Sequence, residues 1–464
     1  MEKVDFTNLE TIIRSYMRKY NTPGVAISIL KDDEVIYSKG FGSRDLQEFK
    51  PIDGDTLIGI GSITKSFTAF AFLKLEEMGK LTIQDSVSKF LRVQPFISHP
   101  DIKIVHLLSH SSGIPAADAS MTHFSYTFGD LSRIYPATTK EDLLAHIGEP
   151  EEYIIFKPGE YFFYNNDMFA CLAFIIEQVS GLSYTEFVKK EIFEPLEMKR
   201  AVFSRKELLN DSNHMTGYRP IKEGEKTAMK KFDVPIGGFL EAAGGIYVSM
   251  NEMMHYAQCL LQKGTYKGRK ILQPKTIEKL WSPIIARPAG FTKNSKYCLG
   301  LALENDYFEN YTLIHHGGGM DTSCAFFAFI PQANIAVSCA QNSCTGPVSV
   351  YPRVAISLLL GIDAESKIEF LKKSKLLEEV SGTYKSSVNM YDFTIALKGG
   401  VIYIDYEIDD GKFSFPVLIN DIDKLQFKIC NGLAESDSFV TFYRNKNTNK
   451  IEFVNLDRYL FKKI

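Results

Sequence analysis

The first eighty residues alternate between helical and strand-like spacing of their apolar positions. Residues 1–20 carry apolar side chains at helical spacing, which predicts an N-terminal helix. Two apolar runs, 25–30 and 35–38, then flank a short polar turn, a pattern typical of a β-hairpin. The helical period returns after Gly59-Ile-Gly and predicts a helix that ends at Gly79.

The rest of the chain changes from helical to strand-like spacing. Residues 85–200 predict mostly helices, with a polar insertion near 115–140, and strand-like runs return within 311–340. A charged segment, 361–375, predicts an exposed helical linker. Beyond it, 376–464 alternates in period two between regularly spaced turns, which predicts an antiparallel β-barrel or sandwich.

Composition and charge exclude several classes of protein. The 464 residues carry 53 Lys+Arg against 56 Asp+Glu, a net charge of -3, so we expect no nucleic-acid partner. No apolar run is long enough to span a membrane and the N-terminus does not resemble a signal peptide, so we expect no membrane partner and a cytoplasmic location. The seven cysteines are scattered, and we expect them to be buried free thiols.

The strongest chemical signal is the pair Ser62 and Lys65, three residues apart at the start of an apolar helix. This spacing places both side chains on one face of the helix. A serine hydroxyl needs a base to become a nucleophile, and a lysine whose pKa is lowered by burial can serve. The same Ser-x-x-Lys spacing recurs at 28–31 and at 86–89. The first pair lies on a predicted strand, where residues three apart point to opposite faces, and the second precedes a loop, so we predict no site at either.

The order of the segments around this pair is specific. The hairpin and the Ser62 helix are followed by Leu107-Leu-Ser-His-Ser-Ser-Gly-Ile114, Phe156-Lys-Pro-Gly-Glu160, Tyr164-Asn-Asn166 and His316-Gly-Gly-Gly319. This order resembles the serine β-lactamase and penicillin-binding-protein superfamily, in the branch with class C β-lactamases, D-aminopeptidases and β-lactamase-like carboxylesterases. The resemblance covers roughly residues 8–355. Residues after 375 resemble the lipocalin-like barrel appended to some D-aminopeptidase-type members.

The resemblance implies a role for each matching residue. Ser62 would be the acylated nucleophile, Lys65 its base, and Tyr164 the group that carries the proton to the leaving group. A phenol has an ordinary pKa near 10, so we expect Tyr164 either to have a depressed pKa or to deliver its proton in concert. Asn166 would orient Lys65 and donate to the substrate carbonyl.

The third motif departs from the lactamase pattern. Class C β-lactamases have Lys-Thr-Gly where this chain has His316-Gly-Gly318, and esterase and aminopeptidase relatives commonly have His-x-Gly. We expect His316 to contact substrate, Gly318 to let the strand approach the substrate closely, and Gly319 to supply one oxyanion N–H beside that of Ser62. His315 is expected to point to the opposite face of the strand.

The remaining histidines do not form a metal site. His106 and His110 are expected to be structural, since buried polar residues usually satisfy local hydrogen bonds. The nine histidines lack ligand spacing, and no phosphate loop is present, so we expect no metal and no cofactor. A Gly-x-Ser-x-Gly nucleophile elbow around Ser62 is also absent.

These observations together predict an α+β protein. Residues 1–360 would form an antiparallel sheet flanked by helices with an all-helical subdomain, 361–375 a linker and 376–464 a β-barrel. We expect a serine hydrolase that forms an acyl-enzyme with a small-molecule or short-peptide substrate. The preferred interpretation is a peptidase or aminopeptidase-type enzyme that acts on short peptides, including those with D-residues. The alternatives are a carboxylesterase or weak β-lactamase, and a penicillin-binding receptor or scaffold that does not turn over. A homo-oligomer is compatible with the sequence.

Overall fold

The computed structural model describes residues 4–116, 139–149, 151–224, 226–234, 238–288, 294–387, 391–408, 411–430, 438–456 and 458–464. The chain divides into two compact units, residues 1–361 and 362–464. The polar insertion predicted near 115–140 lies almost entirely outside the described residues.

The first unit contains the described helices and strands of the α+β part. Its helices are α1 (Thr7–Tyr20), α2 (Thr64–Glu77), α3 (Ile104–Leu108), α4 (Lys140–Gly148), α5 (Asn166–Ser180), α6 (Tyr184–Val188), α7 (Arg205–Asn210), α8 (Glu241–Gly244), α9 (Met250–Leu261), α10 (Pro274–Leu280) and α11 (Val350–Leu359). Its strands are β1 (Gly24–Lys31), β2 (Glu34–Asp45), β3 (Lys50–Pro51), β4 (Ile58–Gly59), β5 (Gly217–Glu223), β6 (Lys226–Phe232), β7 (Tyr247–Val248), β8 (Thr265–Tyr266), β9 (Arg269–Lys270), β10 (Ile285–Ala286), β11 (Ser295–Tyr297), β12 (Ala302–Tyr307), β13 (Tyr311–Gly319), β14 (Cys324–Ile330) and β15 (Ile335–Gln341).

The main sheet joins the two ends of this unit. Among the described residues its strand order is β10-β11-β12-β13-β14-β15-β1-β2-β3, and all neighbours are antiparallel. The N-terminal hairpin β1–β2 therefore pairs with β15, which follows it by some 300 residues in sequence. The prediction of an antiparallel sheet flanked by helices is confirmed.

Helix α2 lies in the core of the first unit. Eleven of its residues are buried, among them Phe67, Phe70 and Leu73, on all sides of the helix. A helix that is apolar all round is stable only when neighbours cover it on every side. Helices α5, α8 and α10 supply much of that cover, so the N-terminus of α2 is held rigidly.

The second unit is a closed antiparallel barrel with two helices before it. The helices are α12 (Ala364–Lys367) and α13 (Glu369–Val380), and the strands are β16 (Gly382–Ser386), β17 (Asp392–Lys398), β18 (Val401–Ile408), β19 (Gly411–Asp421), β20 (Gln426–Ile429), β21 (Ser438–Arg444), β22 (Ile451–Leu456) and β23 (Tyr459–Lys463). Strand β23 pairs with β16 and closes the barrel. The predicted C-terminal barrel is confirmed.

The barrel interior is filled by side chains. Alternate residues of its strands point inward, including Phe393, Phe427 and Phe442, and Leu376 and Val380 of α13 pack against them. The segment 361–375, expected to be a linker, is helical and carries α12 and the first half of α13.

The expectation that all cysteines are free thiols is wrong for one pair. Cys324 and Cys344 form a disulfide with their Cα atoms 5.2 Å apart. Cys324 begins β14 and Cys344 lies just beyond the end of β15, so the hairpin brings together two residues 20 apart in sequence. The other five are free, four of them buried.

Within the described ranges, no single helix is long and apolar enough to cross a membrane. The helical segments 166–180 and 184–193 are bent by 74° relative to each other. They have the length and apolar composition of a membrane span only when the two are counted together.

We predict that the disulfide stabilises the first unit. Replacing Cys324 and Cys344 together by Ser should lower the free energy of unfolding by about 3 kcal/mol, because the crosslink restricts a loop of this length in the unfolded chain. Trp281, the only tryptophan of the chain, packs on Phe329 of β14 at 5.5 Å between ring centroids. Its fluorescence during urea unfolding therefore reports on the first unit.

The control for this prediction is chemical reduction. A dithiol reductant should shift the wild-type transition toward that of the double variant and leave the double variant unchanged. Identical transitions for oxidised wild type and double variant would contradict the prediction.

Candidate active site

Ser62 lies in a tight turn that leads into α2. Gly61 has φ +52°, a left-handed conformation that favours glycine, and the turn Gly61–Ile63 continues directly into the helix. Backbone N–H groups at the start of a helix have no intrahelical acceptor and carry a partial positive charge. The Ser62 hydroxyl is therefore presented beside groups that stabilise negative charge.

Lys65 is fully buried and has three oxygen neighbours. Its Nζ lies 3.0 Å from Ser62 Oγ, 2.8 Å from Asn166 Oδ1 and 2.8 Å from the carbonyl oxygen of Ala243. The side chain is 0% exposed, and this burial lowers the pKa of the Lys65 ammonium well below its ordinary value.

The three neighbours suit a neutral amine. A neutral lysine has two hydrogens and one lone pair, and Asn166 Oδ1 and the Ala243 carbonyl can only accept. When these two oxygens accept both hydrogens, the lone pair is left for the hydroxyl proton of Ser62. The arrangement can therefore take the proton from the serine without moving any heavy atom.

The other two Ser-x-x-Lys pairs lack this arrangement. Lys31 Nζ donates to Asp32 and to the Ala333 carbonyl, while Ser28 bonds to Asn251. Lys89 is exposed and pairs with Asp85. Of the three Ser-x-x-Lys pairs, only Ser62 and Lys65 have the lysine amine within hydrogen-bond distance of the serine hydroxyl.

Tyr164 and Asn166 enter the site together at the start of α5. Asn165 caps this helix, and its Oδ1 accepts the N–H groups of Asp167 and Met168. Asn166 is the first helical residue and reaches Lys65, whereas the Tyr164 phenol lies beside the Ser62 hydroxyl. The Tyr164 ring also lies 4.8 Å from Lys65 Nζ.

Tyr164 is protonated at neutral pH. The side chain is 36% exposed and can meet a substrate, yet the protein packed around the phenol raises its pKa above the ordinary value. The Ser62 hydrogen bond and the charge of Arg287 act in the opposite direction and do not offset this. Of the two expected routes, a depressed pKa is disfavoured, and delivery of the phenol proton in concert is favoured.

His316 is buried beside Lys65 and held by two hydrogen bonds. Its Nδ1 donates to the Gly317 carbonyl at 2.5 Å, and its Nε2 accepts from the Tyr297 hydroxyl at 2.9 Å. Burial lowers the pKa of His316 from 6.5 to about 3, and a positive charge on Lys65 would act in the same direction. The imidazole is therefore neutral at physiological pH, with both nitrogens engaged by the protein.

The glycines after His316 bring β13 against the Ser62 turn. A Cβ on Gly318 would lie 1.9 Å from the Ile60 carbonyl oxygen, and one on Gly61 would lie 2.5 Å from Gly319 N. The close approach made by Gly318 is thus to the Ser62 turn, where the expectation was an approach to substrate. It places the N–H groups of Ser62 and Gly319 next to each other.

The opposite face of β13 is held by a buried ion-pair network. His315 Nε2 lies 2.8 Å from Glu304 Oε1, and Arg353 of α11 binds the same carboxylate through two nitrogens. Hydrogen bonding and the charge of Arg353 keep the pKa of the Glu304 carboxyl well below its ordinary value despite burial. His315 points away from Ser62 and fixes the strand that carries His316.

Three residues of the site were not found from the sequence. The Ala243 carbonyl binds Lys65, the Tyr297 hydroxyl binds His316, and the charge of Arg287 acts on the pKa of Tyr164 and His316. A backbone carbonyl carries no sequence signal, and Tyr297 is one of 23 tyrosines.

Within the described part of the chain, no group of three His, Cys, Asp or Glu residues could hold a metal ion.

We predict that Gly318→Ala separates β13 from the Ser62 turn. The new methyl group would clash with the Ile60 carbonyl and displace one oxyanion donor, so the rate at which a fluorophosphonate labels Ser62 should fall by about 100-fold. Gly317→Ala is the matched control, because its Cβ would meet Phe326 at an ordinary 3.6 Å and should change the rate by less than about threefold. Equal rates for the two variants would contradict this account of the strand.

Comparison with known proteins agrees with this geometry. Residues 9–356 match the family model described as Beta-lactamase. Protein flp of Staphylococcus aureus (strain MW2) is 27% identical over 346 residues, which cover 72% of this chain and 62% of flp. The putative penicillin-binding protein PbpX of Bacillus subtilis (strain 168) is 30% identical over 282 residues, which cover 61% of this chain and 64% of PbpX. The chain thus spans less than two thirds of either relative.

Two solved structures extend the comparison. The octameric penicillin-binding protein homologue from Pyrococcus abyssi superposes with a TM-score of 0.89 at 30% identity, covering 99% of this chain and 100% of its own. The penicillin binding protein from Bacillus halodurans has a TM-score of 0.60 at 25% identity and covers 75% of this chain and 99% of its own. The family match over 9–356 and these relatives agree with the order of the sequence motifs, and the chain belongs to the beta-lactamase family.

Proposed function

We propose that this protein is a serine hydrolase that cleaves amides or esters of small molecules and short peptides through an acyl-enzyme at Ser62. The single observation that carries the proposal is the buried Lys65 amine, 3.0 Å from Ser62 Oγ, with two further oxygens that only accept. Such an arrangement stabilises a neutral base beside a hydroxyl nucleophile.

In the acylation step, Lys65 takes the hydroxyl proton as Ser62 Oγ bonds to the substrate carbonyl carbon. The carbonyl oxygen becomes an oxyanion and accepts hydrogen bonds from the N–H groups of Ser62 and Gly319. Tyr164 then gives its phenol proton to the leaving nitrogen or oxygen as that bond breaks, and it regains a proton from Lys65. The products of this half-reaction are the acyl-Ser62 ester and a neutral amine or alcohol.

Deacylation repeats these steps with water as the nucleophile. Water gives a proton to the Lys65–Tyr164 pair and attacks the ester carbonyl, and the Ser62 oxygen leaves with a proton returned from Lys65. The enzyme returns to its starting state, and the acyl group leaves as a carboxylic acid.

The substrate class follows in part from His316. Class C β-lactamases, which this chain resembles, have a lysine at this position, whereas His316 is neutral and already bonded to Tyr297 and Gly317. A neutral ring offers no charge to the carboxylate of a penicillin. Short peptides, including those with D-residues, are therefore the first substrates to test, with simple carboxylic esters second.

Two further proposals concern the whole molecule. The Pyrococcus abyssi homologue, which matches this chain along its full length, is described as octameric, and we propose that this chain also forms a homo-oligomer. Light scattering coupled to size exclusion measures its mass directly. The cytoplasmic location stays a prediction that cell fractionation can test.

We predict steady turnover with a panel of chromogenic substrates: nitrophenyl esters of short acids, D- and L-amino-acid nitroanilides, and nitrocefin. An ester or nitroanilide should show a kcat/KM at least about tenfold above that of nitrocefin, because the site offers no cation at the position of His316. Ser62→Ala should abolish turnover and covalent labelling by a fluorophosphonate.

Ser86→Ala is the matched control, since Ser86 has the same spacing to a lysine but bonds to Ser88 and the Pro100 carbonyl. It should keep wild-type turnover. Release of one equivalent of product without turnover would favour the receptor alternative, and labelling that persists in Ser62→Ala would overturn the nucleophile.

A further inference from the structure

His110 is buried against the ring of Tyr164. The residue is 1% exposed, and its ring centroid lies 4.1 Å from that of Tyr164 and 5.1 Å from that of Phe169. Its φ is +56°, a left-handed conformation that is uncommon for residues other than glycine, with asparagine, aspartate and histidine the most frequent exceptions. Such backbone strain persists where the surrounding structure requires it.

The backbone on both sides of Tyr164 is bound to this one residue. The N–H of Phe163 donates to the His110 carbonyl at 2.8 Å, and the N–H of Asn165 donates to His110 Nδ1 at 3.1 Å. Because Asn165 also caps α5, the second bond fixes the start of the helix that carries Asn166. His110 therefore contacts the Tyr164 ring and holds both of its neighbours.

The bond to Asn165 requires a neutral imidazole. Nδ1 accepts this hydrogen bond, so the ring proton of the neutral form is on Nε2. A proton on Nδ1 would point at the N–H of Asn165 and break the bond. Burial keeps the pKa of His110 well below its ordinary value, and a positive charge on Lys65, His316 or Arg287 would act in the same direction.

We propose that His110 is a positioning residue that acts on the reaction only through Tyr164. The ring contact and the two hydrogen bonds hold the Tyr164 phenol against Ser62, so that its proton can reach the leaving group. The inference rests on the proposed function, because it assigns Tyr164 the proton transfer of an acyl-enzyme reaction.

The test is a double-mutant cycle on the acylation rate. This rate is measured by single-turnover kinetics on an ester of an unactivated alcohol, whose leaving oxygen must gain a proton, for the wild-type protein and for His110→Ala, Tyr164→Phe and both together. His110→Ala should lower the acylation rate at least 30-fold and change the apparent ester affinity less than threefold. In the Tyr164→Phe background the same substitution should lower the rate less than twofold, because no phenol proton is left to position.

A conservative variant keeps the test valid if alanine disturbs folding. Asparagine tolerates the left-handed conformation, and its Oδ1 can accept the N–H of Asn165. His110→Asn should therefore lie within fivefold of the wild-type rate. A rate for His110→Asn as low as that of His110→Ala, with both variants folded, would overturn the role of the hydrogen bond.

His106 is the matched control, since its Nδ1 accepts the N–H of Lys103 at 3.1 Å in the same segment without contacting Tyr164. His106→Ala should leave the acylation rate within twofold in both backgrounds. Equal losses from His110→Ala with and without the Tyr164 phenol would show a general structural role and overturn the proposal alone. Absence of fluorophosphonate labelling at Ser62 in the wild-type protein would overturn the proposed function and this role with it.

Discussion

The site depends on one interaction, the contact between a buried lysine amine and a serine hydroxyl one helical turn away. Lys65 is completely enclosed, and a charged ammonium there would lose its hydration without a carboxylate to replace it. Its three neighbours are an amide oxygen, a backbone carbonyl and the hydroxyl itself, none of which carries a formal charge. Burial therefore favours the neutral base that a nucleophilic serine needs.

The elements around this pair each supply a part of the same environment. Helix α5 brings Asn166, and the segment just before it brings Tyr164. Helix α8 brings the Ala243 carbonyl, and β13 brings Gly319 against the Ser62 turn. The cation of Arg353 and the anion of Glu304 lie on the far face of β13, where they fix the strand. The Glu304–Arg353 pair thus lies away from the lysine, and the protons needed for catalysis are held on uncharged groups, Tyr164 and Ser62.

Much of this could be predicted from the sequence because the signals are local. The Ser62–Lys65 pair follows from helix periodicity, and the hairpin β1–β2 follows from two apolar runs around a polar turn. Tyr164 and Asn166 were identified by their place in an ordered series of motifs. Spacing alone gave no reason to choose that tyrosine among the others.

The features that were missed depend on tertiary contacts or on exceptions to local rules. The pairing of Cys324 with Cys344 depends on the register of β14 against β15, which residue spacing does not show. Strand β19 contains Pro416, a residue that argues against a paired strand, yet it pairs with β18 and β20. The hydrogen bond from Tyr297 to His316 joins β11 to β13 across the sheet and holds the histidine as a neutral group.

The central claim is that Lys65 is a neutral amine under working conditions. The most direct measurement is an NMR titration of the lysine Cε resonances in protein labelled with ¹³C-lysine, with Lys65→Arg used to assign the resonance that disappears. We predict that this resonance titrates well below the ordinary lysine pKa of about 10.4. A Lys65 resonance that titrates with the exposed lysines, at or above that value, would contradict it.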